Sequence, residues 1–182
     1  MPIPTRLPKW FDPRLHGGAS RIHGRGLFVR APVRAGEILM RWGGVLLAVA
    51  DYDPVLYRPA STTHYDEGRC LATPAGEPAS LDELLNHACD PNLWLIDEVT
   101  VVARRAIAAG DEVTGDFATW EDSAHVLTSD CACGSALCRR RITGRDFRIP
   151  ALQARYRGHF LPYLDRAIAA LREGGAENGA SA

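Results

Sequence analysis

Three cysteines fall within eight residues as Cys131-x-Cys133-x4-Cys138. Tetrahedral zinc uses thiolates at this density, and Gly134 lets such a knuckle turn back on itself. A fourth ligand must come from elsewhere. His125 is near in sequence, but Cys89 would complete an all-sulfur site and tie the tail to a second dense stretch, Asn86-His87-Ala88-Cys89-Asp90-Pro91-Asn92. There an amide, an imidazole, a thiol and a carboxylate crowd together between Leu84-Leu85 and Leu93-Trp94-Leu95-Ile96. Polar groups flanked in this way must lie at the surface or have their partners inside. Asp90-Pro91 is a turn-former and Asn92 readily takes positive φ. Cys70 has no partner at metal spacing and reads as a small buried apolar residue.

Two glycines mark another candidate. Ile22-His23-Gly24-Arg25-Gly26-Leu27-Phe28-Val29 places Gly24 and Gly26 just before an apolar strand. Glycine lets a backbone approach a ligand closely, so Gly24-x-Gly26 suits main-chain contacts to a cofactor; a tight turn into a strand explains the same residues. Three tyrosines, Tyr52, Tyr57 and Tyr65, occur close together in the chain. They lie in the proline- and threonine-rich stretch 51–78, which has no clear period and reads mostly as a surface loop.

The elements that must hold these residues are short. Candidate strands cover 38–41, 44–49, 93–97 and 99–103, separated by glycine, proline and acidic turns. Arg30-Ala31-Pro32-Val33-Arg34-Ala35-Gly36-Glu37-Ile38 is echoed by Arg105-Ala106-Ile107-Ala108-Ala109-Gly110-Asp111-Glu112-Val113, each a strand, a glycine turn and a second strand. No long amphipathic helix alternates with them, which disfavours a parallel doubly wound sheet and favours several small curled sheets. Residues 1–19, with four prolines, read as an irregular, mobile arm that carries Lys9 and packs through Trp10 and Phe11. A short helix is expected over 120–127. From Pro150, apolar residues recur at steps of three and four from Leu152 to Leu171, interrupted by Pro162, which predicts two helices packed on the domain. The tail from Gly174 reads as disordered.

A chain of 182 residues that is 46% hydrophobic can bury a sizeable core without disulfides. Five cysteines, an odd number, point to metal or catalysis in a reducing compartment. A formal net charge of −1 provides no global field toward nucleic acid or membrane. Lys9 is the only lysine among 21 basic residues, and this usage, with abundant Ala, Gly and Pro, is that of a GC-rich bacterial genome. Seven arginines between 139 and 157 read as a solvated helix face. No signal-peptide core opens the chain and the longest apolar run, 45–50, is too short to span a bilayer, so the expected setting is the cytoplasm.

In order along the chain, Gly24-Arg25-Gly26-Leu27-Phe28, the heptad 86–92, the run Ala103-Arg104-Arg105-Ala106-Ile107-x-x-Gly110-Asp111-Glu112-Val113-Thr114, and Cys131-x-Cys133-x4-Cys138-Arg139 resemble the motifs of a SET-domain protein-lysine methyltransferase with a post-SET zinc knuckle, in a small bacterial form. The resemblance implies a β-rich α+β fold of several small curled sheets, with the heptad region passing under a neighbouring loop in a pseudoknot-like threading. It divides the chain into an arm (1–19), a SET domain (20–128), a post-SET zinc knuckle (129–145), a C-terminal helical extension (146–173) and a tail (174–182). S-adenosylmethionine is the implied methyl donor, contacted largely through main chain by Gly24, Arg25, Gly26, Asn86 and His87. A structural Zn2+ is implied on Cys89, Cys131, Cys133 and Cys138. The implied partner is a lysine-containing protein or peptide; neither membrane nor nucleic acid is expected.

One departure bears on the chemistry. The family usually reads Asp-Tyr after Glu-x-Thr-x, whereas this chain has Asp116-Phe117, so the usual catalytic hydroxyl is missing. Methyl transfer from a sulfonium to an amine is an in-line displacement that needs alignment and exclusion of water, with no covalent nucleophile. The acceptor lysine must first lose a proton, which costs about 4–5 kcal/mol at neutral pH. An active enzyme would then rely on Phe117 as aromatic wall with Tyr65 or ordered water supplying the hydroxyl. The alternatives are a SET-fold binding module with poor turnover, and a nucleic-acid or acidic-partner binder using the arginine-rich segment.

Overall fold

The computed structural model describes residues 5–122 and 130–179. In chain order the strands are β1 (Arg6–Leu7), β2 (Trp10–Phe11), β3 (Leu15–Ala19), β4 (Arg25–Val29), β5 (Ile38–Arg41) and β6 (Gly44–Ala48). There follow β7 (Tyr57–His64), β8 (Arg69–Pro74), β9 (Asn86–His87), β10 (Leu93–Leu95), β11 (Thr100–Ala103) and β12 (Glu112–Gly115), then helices α1 (Pro150–Arg155) and α2 (Pro162–Gly179). They form three four-stranded sheets, ordered β1-β6-β8-β7, β10-β11-β5-β2 and β3-β4-β12-β9. All pairings are antiparallel except β12 with β9. Strands this short cannot build one wide sheet, so the expected small sheets and C-terminal helices are what the chain forms.

The sheets share one core. Leu27 and Val29 of β4, Leu39 and Met40 of β5, Leu93 and Leu95 of β10 and Val113 of β12 are buried together with Tyr156, Leu161 and Leu164 of the C-terminal segment. Each such side chain contributes about 1.5–3 kcal/mol by leaving water. The helices add to this core as their apolar spacing predicts. Cys70 is buried in β8, as its lack of a metal-spaced partner implies.

The repeated segments face each other. Val33 and Ile107 exchange both backbone hydrogen bonds at 2.9 Å, and Gly36 and Gly110 turn at φ +84° and +88°. Each copy begins with this single bridge rather than the strand expected from its sequence, because a glycine turn follows within three residues and, in the first copy, Pro32 stands just before it.

Three expectations need correction. Residues 6–19 are no irregular arm: β1, β2 and β3 each add an edge or outer strand to a different sheet. Their prolines fall between the strands, where no ladder hydrogen bond is lost. The 51–78 stretch contains the β7–β8 hairpin rather than a long loop. Its alternation is hidden because the register slips between Tyr57 and Thr62, and because β8 buries the small residues Ala72 and Thr73 along with Leu71. Helix α2 runs to Gly179, past the point at Gly174 where disorder is expected, although Gly174, Gly175 and Asn178 are poor helix formers. Residues 123–129, which include His125 and most of the helix expected over 120–127, and residues 180–182 lie outside the described part of the chain.

Gly44 starts β6 at φ +127°, and a Cβ there would lie 2.7 Å from the Ala72 carbonyl oxygen of β8. Gly44→Ala should therefore destabilise the fold by more than about 1 kcal/mol, visible as a lower urea midpoint with unchanged slope.

Candidate active site and cysteine cluster

Asn86 fixes the glycine turn. Its side-chain amide donates to the His23 and Arg25 carbonyl oxygens at 3.2 and 3.1 Å, to Ser20 Oγ at 3.1 Å and to Glu112 Oε1 at 2.7 Å. The Ser20 hydroxyl also donates to Glu112 at 2.9 Å. Sequence reasoning missed Ser20 and Glu112, since their meeting spans 92 positions. Gly24 sits at φ +46° with nothing within 4 Å of a would-be Cβ, whereas the equivalent space at Gly26 is filled by the Glu112 carboxylate. Gly26 is thus required by the chain's own packing, and Gly24 by its turn. Strand β9 lies at the edge of its sheet, paired on one side with Thr114 and Gly115 of β12. The backbone of Asn86 and His87 and the 23–25 turn are therefore brought together.

His87 points inward. Its Nδ1 accepts from the Phe117 N–H at 3.2 Å and its Nε2 lies 3.3 Å from Cys89 Sγ. Burial pushes its pKa down to about 4, so the imidazole is neutral, with Nε2–H directed at sulfur. The Phe117 ring packs on His87 with centroids 5.1 Å apart and on Trp120 at 5.5 Å. Asn92, expected to take positive φ, does not. Its side chain instead bonds both ways to β12, accepting from Thr114 N and donating to Glu112 O at 2.8 Å each.

Asp116, immediately before Phe117, is fully buried and bound bidentately by Arg139 at 2.7 Å on both oxygens. The Tyr156 hydroxyl donates to it at 3.1 Å and the Ala118 N–H at 3.0 Å. Arg139 Nε donates to Asp146 at 2.9 Å. Burial works against the Arg139 cation, but the bonds to Asp116 outweigh it and its pKa is raised. Arginines 139 and 155 therefore point inward, Arg155 donating to the Cys89 carbonyl at 3.1 Å, rather than forming a solvated face.

Arg139 follows Cys138, and here the four cysteines converge. The sulfurs of Cys89, Cys131, Cys133 and Cys138 all lie within 4.8 Å of one another. Gly134 at φ +69° and Arg140 at φ +64° make the knuckle turns, and the Cys131 N–H donates to the Arg140 carbonyl at 2.7 Å. The Arg139 N–H donates to Cys89 Sγ at 3.3 Å. Burial pushes the Cys89 thiol up, and that of Cys131 to about 11, whereas at Cys133 burial is outweighed by hydrogen bonds from neighbouring backbone and thiols and the shift is downward; thiolates at Cys89 and Cys131 call for a cation. Four sulfurs at this spacing, close to the roughly 3.8 Å edge of a tetrahedron with 2.3 Å Zn–S bonds, fit zinc.

A cavity of about 230 Å³ opens beside Phe117. Trp42, Leu85, Phe117 and Trp120 give it an apolar surface, and Ser61, Thr62, Thr63, Asp82 and Glu121 its polar groups. Tyr65 does not join them. Its ring lies under the Arg69 guanidinium, 5.2 Å from the centroid, and the hydroxyls on the cavity come from β7.

The three small sheets, the enclosed 86–92 segment and the cysteine cluster define a SET-type architecture. A SET domain model matches residues 24–118, more than half of the chain, and the chain belongs to the SET-domain family. It is similar, at 28% identity over 151 residues, to histone-lysine N-methyltransferase ATX2 of Arabidopsis thaliana, the match covering 74% of this chain and 13% of that protein. With histone-lysine N-methyltransferase 2B of Homo sapiens it shares 30% identity over 136 residues, covering 66% and 5%. The chain thus spans a small fraction of the length of these relatives. Among solved structures, KRYPTONITE in complex with mCHG DNA and SAH matches with a TM-score of 0.55 and 25% identity, covering 70% of this chain and 28% of that one. These relatives are eukaryotic, so a bacterial source rests on composition alone.

Two outcomes are expected. Native protein should contain one zinc per chain by elemental analysis, lost with a fall in melting temperature in Cys89→Ser, while Cys70→Ser retains it. Arg139→Met should cost about 3–5 kcal/mol by leaving Asp116 buried without its counter-charge, and adding Asp116→Leu should recover part of that loss in chemical denaturation.

Proposed function

We propose that the chain is an S-adenosylmethionine-dependent protein-lysine N-methyltransferase with a structural zinc. The observation that carries this reading is the placing of Phe117, one residue before the end of the matched SET segment, on the wall of a cavity that Leu85 also lines, with its ring against His87 of β9, while the neighbouring Asn86 holds the 23–25 turn. The relatives named as histone-lysine methyltransferases and the SAH in the KRYPTONITE complex support it.

When bound, S-adenosylmethionine supplies an electrophilic methyl group. The chain's part is to hold the donor along Gly24, Arg25, Asn86 and His87, chiefly through main chain, and to admit a lysine side chain past Trp42 and Phe117. Excluding water from this apolar wall favours the neutral amine, which is the reactive form. Tyr65, which does not line the cavity, is replaced in this reading by the β7 hydroxyls; Thr63 Oγ1 is buried with no hydrogen-bond partner among the described residues. A reducing cytoplasm, which leaves the four thiols free for metal, belongs to the same reading.

One observation favours a second reading. No tyrosine hydroxyl lines the cavity among the described residues, which fits a binding module with poor turnover. Incubation with labelled donor and a lysine-peptide array, read by mass spectrometry, separates the two. Product on lysine supports the enzyme; donor binding without product supports the module. Loss of one well-placed catalytic donor costs roughly 10²–10³-fold, so the wild type should be slow and Phe117→Tyr faster by up to that factor. Phenylalanine also leaves more room than tyrosine, so Phe117→Tyr should shift product toward monomethyl-lysine with donor affinity little changed. A fast wild type that Phe117→Tyr slows would assign the hydroxyl elsewhere.

A further inference from the structure

The chain's one lysine is bound to two of the residues that line the cavity beside Phe117. Lys9 Nζ donates to Ser61 Oγ at 2.6 Å and to Asp82 Oδ2 at 2.7 Å, and both partners line that cavity. Ser61 Oγ in turn lies 2.8 Å from Thr73 Oγ1 and donates to Asp82 Oδ2 at 3.1 Å. Ser61 and Thr73 are 7% and 3% exposed, so this is a built recess rather than a surface cluster. Asp82 Oδ1 is buried with no hydrogen-bond partner among the described residues, which leaves an unused acceptor beside the ammonium.

The backbone that delivers Lys9 is fixed at both ends. Leu7 pairs with Gly44 and Trp10 with Arg41, so residues 8 and 9 cross from one sheet to the next over Gly43. A Cβ on Gly43 would lie 2.5 Å from the Leu7 carbonyl oxygen, and Gly43 also lines the cavity. The mobile arm expected for Lys9 is thus a strap pinned at both ends against Gly43, which lines the cavity.

Residue choice points the same way. Of 21 basic residues, 20 are arginine, and nearby ion pairs use it: Arg6 with Glu77 at 2.6 Å and Arg58 with Glu83 at 2.8 Å. A guanidinium is a wide planar fork that suits a carboxylate at a surface, whereas a recess of one carboxylate and two hydroxyls suits the compact ammonium. The single exception to arginine usage is the residue bonded to two lining residues of the cavity.

We propose that Ser61, Thr73 and Asp82 form a primary-ammonium subsite of the cavity, and that Lys9 is its resident occupant, displaced by the incoming amine. The identity of that amine as a substrate lysine rests on the methyltransferase reading; the subsite's preference for a primary ammonium does not. Because the chain has one lysine, labelling with lysine enriched in 13C at Cε gives a single side-chain resonance from Lys9. Titrating wild-type protein with n-butylammonium should shift this signal saturably toward its position in a free lysine, while tetramethylammonium at equal ionic strength leaves it in place. In Lys9→Met, which keeps the apolar stem, n-butylammonium should raise the melting temperature, and the additional change Asp82→Asn should abolish that rescue. With a lysine peptide, Lys9→Met should lower KM about threefold or more. A Lys9 resonance indifferent to n-butylammonium would overturn the proposal, as would a Lys9→Met protein that is destabilised but not rescued by the amine. Amine displacement of Lys9 in a protein that transfers no methyl group to any peptide would uphold the subsite and refute the methyltransferase reading instead.

Discussion

The buried pair of Asp116 and Arg139 is the constraint on which the rest of this structure depends. Taking two charges out of water costs several kcal/mol per ion, and only good geometry with every remaining lone pair engaged offsets it. Here both Asp116 oxygens receive Arg139, and the Tyr156 hydroxyl and Ala118 N–H fill the remaining directions. Satisfying one carboxylate therefore draws together the end of β12, the residue after Cys138 and the last turn of α1. Phe117, which directly follows Asp116, inherits its position from this arrangement.

The same pair explains why the cysteine knuckle belongs to the cavity rather than to a separate appendage. Arg139 offers its side chain to Asp116 and its backbone N–H to Cys89 Sγ, while Cys89 lies two residues beyond His87, whose ring receives the Phe117 N–H. A closed loop of contacts results: knuckle to Asp116, Asp116 to Phe117, Phe117 to His87, His87 to Cys89 and back to the knuckle. Metal at the four sulfurs would order a segment that the buried ion pair already requires to be ordered, so metal binding and the shape of the cavity are coupled without any moving part.

How much of this was legible in the sequence depended on separation along the chain. Cysteine spacing, the dense heptad and the position of Phe117 are local patterns, and the structure brings them together as read. The strand at 38–41 was found because four residues carry their own signal. The β7–β8 hairpin was not, since a register slip and small buried residues erase its alternation. Nor could local reading find the partners of Arg139: a run of seven arginines looks like a solvated face until Asp116, 23 positions earlier, is known to lie beneath it. Lys9 and Asp82, 73 positions apart, are a sharper case, because prolines around Lys9 signal a loose arm while β1 and β2 fix it on both sides.

The cavity has two chemically distinct walls, and this division matters more than the missing tyrosine by itself. A carboxylate favours the protonated ammonium, which binds well but has no lone pair with which to attack a methyl group. The Asp82 wall is therefore suited to capture an amine and unsuited to its reaction. Phe117, Trp42 and Trp120 offer the opposite environment, where desolvation disfavours charge and a neutral amine is the better guest. Trp42 and Trp120 pack edge to face at 5.2 Å, so that wall is rigid. On the methyltransferase reading, capture as a cation and reaction as a neutral amine would call for different parts of one small cavity, with proton loss between them. The hydroxyls of Ser61, Thr62 and Thr63 belong to the polar side of the same cavity, within one strand, and on this reading they are the groups available to take a departing proton. A tyrosine at position 117 would merge binding and proton release at one point; phenylalanine there separates them.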